Sequence, residues 1–255
     1  MVAKGTLVKV DYEAWTEDGE LFDTTKREVA KANNKFDENV IYDPLPVLVG
    51  AGRVIPGFDE ALQNAEPGKE QDVTIPSEKA FGPRDTERVE TIPMREFQKQ
   101  EVVPYPGLRL QHQGKMATVV SVSAGRVRID YNNPLAGKSL RYKFTIVEAI
   151  DDPAAKVRGF IELAYGQGRA ADFKIDAEGN EVDITLPDSC KYDQRWFVAK
   201  YRLVSDLRTY AGFRTTRFIE EYVTEEPRPT QTGGAPEGET HTHADGTVHA
   251  GPAHP

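Results

Sequence analysis

One strand pattern near the middle of the chain restricts the possible folds more than any other feature. The segment Leu140–Ile150 carries large apolar side chains at every second position, namely Leu140, Tyr142, Phe144 and Ile146. This period of two is typical of a half-buried β-strand. A single strand cannot bury an apolar face alone. We therefore predict that it returns to a sheet formed earlier in the chain, which makes the intervening residues an insertion in a discontinuous domain.

The earlier sheet is predicted from the N-terminal segment. Residues 6–14 alternate in the same way, and Asp18-Gly19 favours a tight hairpin that returns through Leu21-Phe22-Asp23. Leu45–Val49 predicts a further strand. A short helix begins at Pro56, because the residues after it place one apolar stripe at helical spacing: Phe58, Ala61, Leu62 and Ala65. These patterns predict a small antiparallel sheet wrapped on one short helix.

The inserted stretch and the C-terminal part have different patterns. Three short alternating runs predict a small β-meander: Leu108–His112, Lys115–Val122 and Arg126–Tyr131. Asp152-Pro153 is a helix start, and strands and a longer helix follow it. After Pro227 the chain is rich in proline and glycine, which is typical of disorder.

The predicted fold class is α+β, in four parts. They are a discontinuous domain over residues 1–87 and 131–150, an inserted β-rich module over 88–130, a C-terminal α+β unit over 152–225 and a disordered tail over 226–255.

Charge and cysteine content limit the partners and the compartment. Asp and Glu number 41 against 32 Lys and Arg, and the net charge of −9 repels nucleic acid and anionic lipid. No apolar run approaches the roughly 20 residues of a membrane helix, and the first residues lack the basic and apolar blocks of a signal peptide. The lone Cys190 cannot form an internal disulfide. We expect a cytoplasmic protein that binds neither nucleic acid nor membrane, and the sequence leaves its oligomeric state open.

Five groups of residues, taken in chain order, resemble the FKBP-type peptidyl-prolyl isomerases, specifically the long archaeal form related to bacterial SlyD. They are Tyr12, Phe22–Thr25, Gly50–Phe58, Ala80–Gly82 and Asn132–Gly137. The resemblance implies an FKBP-like antiparallel half-barrel wrapped on a short helix. It also implies that the insertion is the chaperone module called insert-in-flap, and that the C-terminal unit is the extra domain of the longer archaeal members.

The resemblance further implies an isomerase site in an apolar cup. Its residues would be Tyr12, Phe22, Asp23, Val54, Ile55, Phe58, Phe81 and Tyr142, with Leu45 in the wall. Phe58 would form the floor under the proline ring, the Ile55 N–H would anchor a substrate carbonyl, and Asp23 would orient the amide at the rim. Rotation about an X–Pro bond crosses a barrier of about 18–20 kcal/mol that comes from amide resonance, so no cofactor, nucleophile or metal is required.

The insertion is rich in large apolar residues, which predicts a surface for unfolded or proline-containing polypeptides. The candidates for binding are Met94, Phe97, Val102, Leu108 and Leu110. The same residues could instead form the core of the module. The reading favoured by the sequence is an isomerase with chaperone activity.

Other interpretations stay open at this point. Phe81 stands where many family members have Tyr, and Leu45 occupies a position that is often aromatic, which favours a holdase without useful isomerase activity. Asp23 could be a turn cap, and the aromatic residues could be plain core. Four tail histidines could bind nickel, zinc or copper weakly and make this a metal-binding protein: His241, His243, His249 and His254.

Overall fold

The structure is a computed structural model that describes residues 1–223, 240–242 and 248–250. The chain divides into two compact units, Met1–Glu220 and Glu221–Pro255, which are described separately. Within the described residues, no helix combines the length and the apolar character needed to cross a membrane.

The strands, in chain order, are β1 (Leu7–Thr16), β2 (Leu21–Thr24), β3 (Leu45–Leu48), β4 (Glu70–Ile75), β5 (Val89–Pro93), β6 (Arg109–His112), β7 (Lys115–Ser123), β8 (Arg126–Asp130), β9 (Leu140–Ala149), β10 (Lys174–Glu178), β11 (Glu181–Thr185), β12 (Thr215–Ile219), β13 (Thr240–Thr242) and β14 (Val248–Ala250). The helices are α1 (Arg27–Ala32), α2 (Pro56–Asn64), α3 (Met94–Lys99), α4 (Pro153–Tyr165), α5 (Asp188–Lys191) and α6 (Gln194–Tyr210).

The central sheet has the strand order β2-β1-β9-β4, with β3 also paired to β1. The prediction that the strand after residue 140 returns to the first sheet is confirmed, because β9 pairs antiparallel with both β1 and β4. Helix α2 contributes Phe58 and Leu62 to the same apolar core as the inner faces of these strands. The alternation of the strands thus places one apolar face on one short helix, which is the predicted α+β arrangement.

The insertion forms a separate sheet with the order β5-β8-β7-β6. The sequence predicts three strands here, and the structure adds β5 and the short helix α3. Pro93 ends β5. This proline is tolerated because β5 is an edge strand, where one missing N–H leaves no ladder bond unmade. The core of this sheet is formed by Ile92, Phe97, Ala117, Val119, Val127 and Ile129.

Two short connections join the insertion to the central sheet, and side chains hold them together. Arg84 donates from Nε and Nη2 to Oδ2 of Asp130, at 2.9 and 2.6 Å. Asn132 bonds both the backbone N–H and the carbonyl of Asp85, at 3.0 and 2.7 Å. The two connections are therefore joined to each other at the point where the insertion begins and ends.

The C-terminal part of the first unit packs α4 and α6 on the sheet β10-β11-β12, in which β11 and β12 run parallel. Its core also includes Leu7 and Leu48 from the central sheet and Ile150, which directly follows β9. Gly159 of α4 permits this close approach, because a methyl group there would lie 2.6 Å from Cδ2 of Leu7. Strand β12 ends at Ile219.

In the second unit, β13 and β14 pair antiparallel. The prediction of a disordered tail over residues 226–255 otherwise falls on residues outside those that the structure describes.

Candidate functional site

An aromatic cluster lies on the inner face of the central sheet. Alternation along β1 and β9 directs Tyr12, Tyr142 and Phe144 to this face, and α2 adds Phe58. The rings of Phe58 and Tyr142 are stacked with centroids 4.5 Å apart, while Phe58 meets Phe144 edge-on at 5.1 Å. Phe58 is 2% exposed, so it supports the floor of the site from below rather than presenting a free face.

At the edge of this cluster, β2 carries Phe22 and Asp23. Phe22 is half-buried and lies edge-on to Tyr142 at 6.1 Å. The Tyr12 hydroxyl donates a hydrogen bond of 2.6 Å to Oδ2 of the exposed Asp23. Burial, together with the Asp23 carboxylate, raises the pKa of Tyr12 far above its ordinary value, and burial raises the pKa of Tyr142 in the same way. Both phenols are therefore neutral at physiological pH, and Tyr12 is a permanent donor to Asp23.

The loop from Gly50 to Ile55 forms the opposite side. Gly50 and Gly52 have positive φ values of 75° and 64°, which glycine adopts without strain. The buried Asp59 carboxylate accepts hydrogen bonds from their backbone N–H groups at 2.7 and 3.0 Å. The Ile55 carbonyl accepts bonds from the start of α2, whereas its N–H donates none to any described residue. This N–H is available to a bound carbonyl.

Most of the predicted cup residues come together. Phe22, Leu45, Val54 and Ile55 are half-buried and pack against the core that contains Tyr12, Phe58 and Tyr142. Phe81 does not join them: it is 38% exposed and borders a depression of about 520 Å³ with Pro83 and Asn133. Ala80 takes the inward position in its place. Phe81 therefore lies outside this cluster, and its place in the wall of the cup stays a prediction.

Three contributors were missed by the sequence reasoning. Phe144 completes the aromatic cluster, and its place in the strand alternation already signalled it. Asp59 fixes the glycine loop, and Arg53 contacts the C-terminal helix α6. Neither of these polar roles has a local sequence signal.

The insertion carries a groove of about 170 Å³ beside α3. Val102 and Leu110 line it and are half-buried. Phe97 also lines the groove but is only 5% exposed, so it acts mainly as core. Met94 and Leu108 are half-buried against the same core. Of the predicted binding residues, Phe97 thus belongs to the core of the module. The other four are partly exposed: Met94, Val102, Leu108 and Leu110.

No group of three or more metal-ligating side chains lies among the described residues. His243 and His254 fall outside the described residues, and the backbones of His241 and His249 pair with each other in the second unit.

Comparison with known proteins gives three matches to family profiles along the chain. Residues 1–96 match FKBP-type peptidyl-prolyl cis-trans isomerase, residues 90–135 match the FKBP26 IF domain, and residues 153–223 match the FKBP26 C-terminal domain.

Individual relatives agree with these profiles. The chain is 40% identical over 146 residues to a short-type peptidyl-prolyl cis-trans isomerase of Methanocaldococcus jannaschii, covering 57% of this chain and 91% of that protein. It is 31% identical over 172 residues to the SlyD isomerase of Aeromonas hydrophila, covering 67% and 72%, and 29% identical over 119 residues to that of Helicobacter pylori, covering 46% and 64%. The chain thus belongs to the FKBP-type peptidyl-prolyl cis-trans isomerase family and is an enzyme of that kind.

Proposed function

We propose that isomerisation takes place at the cup between β1, β2, β9 and the loop 50–55. The observation that carries this proposal is the combination of half-buried apolar side chains, the Tyr12–Asp23 hydrogen bond at one edge and, at the other, the Ile55 N–H, which donates to no residue in the described part of the chain. A proline ring would contact Phe22 and Val54 above Tyr142, which Phe58 supports from below. This arrangement orients an X–Pro amide between two polar groups on an apolar surface.

The chemistry follows from the amide itself. Resonance makes the planar amide more dipolar than the twisted one, so removal of water destabilises the planar ground state relative to the transition state. The Ile55 N–H holds the substrate carbonyl and the fixed Asp23 carboxylate orients the amide. A thousandfold acceleration needs only about 4 kcal/mol. No bond is made or broken, so the reaction requires no cofactor.

We further propose that the insertion binds unfolded chains and delivers their prolines to the cup. Its groove combines the half-buried Val102 and Leu110, and the exposed apolar side chains of Val103 and Met116 belong to the same module. A chain held there is tethered near the cup, which raises the effective concentration of its prolines without any new contact at the site. The substrates of the proposal are unfolded, proline-containing polypeptides in the cytoplasm.

Two assays test the isomerase cup and the insertion separately. Cis/trans exchange of a short X–Pro peptide is measured by NMR exchange spectroscopy, and refolding of a proline-limited protein is measured by fluorescence. We expect Asp23→Ala to reduce both rates. The double variant Val102→Ser/Leu110→Ser is expected to slow only protein refolding, and Val147→Ser, at an exposed apolar position on β9, is the matched control.

The possible outcomes discriminate between functions. Equal losses on both substrates in the groove variant would contradict the division of labour. An intact protein that binds unfolded chains but does not accelerate peptide exchange would favour the holdase.

Metal binding by the tail is a separate proposal. Nickel titration of the full chain and of a chain ending at Pro227 tests it, and equal affinities would assign the tail histidines no role.

A further inference from the structure

Two loops that border the cup are also in contact with the C-terminal part of the first unit. In the segment before β3, the Asp43 carbonyl accepts a hydrogen bond of 2.8 Å from Nε2 of Gln167. Ile41 lies so close to Gly168 that a methyl group on this glycine would sit 2.5 Å from its Cδ1. In the loop 50–55, Arg53 forms an ion pair with Asp206 of α6. The C-terminal part therefore contacts both the segment before β3 and the loop 50–55.

The Arg53–Asp206 pair is largely buried. The side chain of Arg53 is 16% exposed and that of Asp206 is 5% exposed, and Nη2 of Arg53 donates a hydrogen bond to Oδ1 of Asp206. The other two atoms of the pair, Nη1 and Oδ2, have no hydrogen-bond partner among the described residues. A buried pair with unsatisfied atoms adds little net stability, because desolvation offsets its Coulomb attraction. Its main effect is to fix where the two groups lie.

Arg53 directly precedes Val54 and Ile55, the residues that supply a wall of the cup and the free N–H. Asp59 already holds Gly50 and Gly52 from within the domain. Asp206 is the second attachment, and it acts on the half of the loop nearest the substrate. A displacement of Arg53 would be transmitted to the Ile55 N–H two residues later.

Helix α6, which carries Asp206, is held in place by packing. Leu203 and Leu207, on either side of Asp206, are fully buried in the core that also contains Leu7 and Leu48 of the central sheet. The position of the Asp206 carboxylate relative to the central sheet is therefore set by packing on both sides.

We propose that the C-terminal part positions the isomerase site, and that Asp206 is a positioning residue that acts through Arg53 on the loop carrying Val54 and Ile55. This inference rests on the proposed location of the cup. It gives the C-terminal part a role in binding the substrate amide, although none of its residues belongs to the cup.

The experiment compares full-length variants at a temperature where all are folded. Asp206→Asn removes the charge, and the control Cys190→Ser disturbs the same buried core but leaves the Arg53–Asp206 ion pair in place. We expect Asp206→Asn to raise KM for a short X–Pro peptide about tenfold, with kcat changed by less than about twofold, because the loop binds substrate in the ground and transition states alike. The amide resonances of Val54 and Ile55 should shift in Asp206→Asn and not in the control.

A second variant separates positioning from stability. Arg53→Gln/Asp206→Asn removes both buried charges, so its thermal stability should recover relative to Asp206→Asn while KM stays raised. Asp206→Glu keeps the charge and should restore most of the affinity.

Two results would contradict the positioning role of Asp206 or the location of the cup. If KM for Asp206→Asn equals that of wild type and of Cys190→Ser while Asp23→Ala and Val54→Ser are impaired, the positioning role is wrong and the cup stands. If Asp23→Ala and Val54→Ser are also unimpaired, the cup is misplaced and both proposals fail.

Discussion

The hydrogen bond from Tyr12 to Asp23 makes a prediction that can be followed through pH. Tyr12→Phe removes a buried hydroxyl whose partner, Asp23, is exposed and can be hydrated by water. A hydrogen bond to a charged group contributes about 1.5–3 kcal/mol when its loss leaves the partner unsatisfied. Because water can replace this donor, we expect a loss of only about 1 kcal/mol in the free energy of unfolding at pH 8.

The raised pKa of Tyr12 sets the sign of the pH dependence. Above pH 10 the unfolded state loses the tyrosine proton while the folded state retains it, so wild-type stability falls as pH rises. The fall amounts to about 1.4 kcal/mol per pH unit for this one residue. Tyr12→Phe lacks that contribution. The two unfolding free energies should therefore converge between pH 10 and pH 11, and the variant should be no less stable than wild type at pH 11.

Urea unfolding of both proteins at pH 8, 9, 10 and 11 measures this difference, and titrations shared by the two proteins cancel. Peptide isomerisation measured in parallel at pH 8 should be about fivefold to tenfold slower in Tyr12→Phe, because Asp23 loses the donor that orients it. A constant stability difference across the whole pH range would refute the assignment of a neutral, buried Tyr12. Unchanged isomerisation would refute the role of the hydrogen bond in orienting Asp23.

Two further predictions concern packing and loop support. Gly159→Ala should lower the unfolding free energy by about 1 kcal/mol in urea titrations, because overpacking against Leu7 outweighs the gain in helix propensity; a more stable variant would show that the core yields there. Asp59→Ala should cost about 2–4 kcal/mol, because it leaves the N–H groups of Gly50 and Gly52 without their acceptor, and a loss below about 1 kcal/mol in the same assay would show that water replaces the carboxylate.

Patterns of short range in the sequence predict much of this fold. The alternation of β1 and β9 and the apolar stripe of α2 depend on local side-chain direction, which is fixed by the period of strand or helix. For the same reason Tyr12, Phe58 and Tyr142 are found together. Local patterns did not predict β5, because Pro93 is a local signal against a strand. The proline is acceptable there only because β5 lies at the edge of its sheet.

The parts of the site that sequence reasoning missed depend on contacts between distant residues. Arg53 and Asp206 are 153 positions apart, and nothing near either residue indicates the other. Phe81 shows the converse problem. A resemblance assigns it to the cup, but the side-chain direction at one loop residue depends on the local path of the chain, and here the smaller Ala80 faces inward.

The nested arrangement of the two sheets also sets an order of folding during synthesis. The central sheet pairs Val8 with Ala149, whereas the most distant pairing in the insertion joins Val89 to Asp130. Contacts between distant residues form more slowly because a long loop must close first, and the ribosome releases the chain from its N-terminus. We expect the insertion to fold before β1 pairs with β9. The surface proposed to hold unfolded chains would then exist before the cup, beside the unfinished sheet of its own protein.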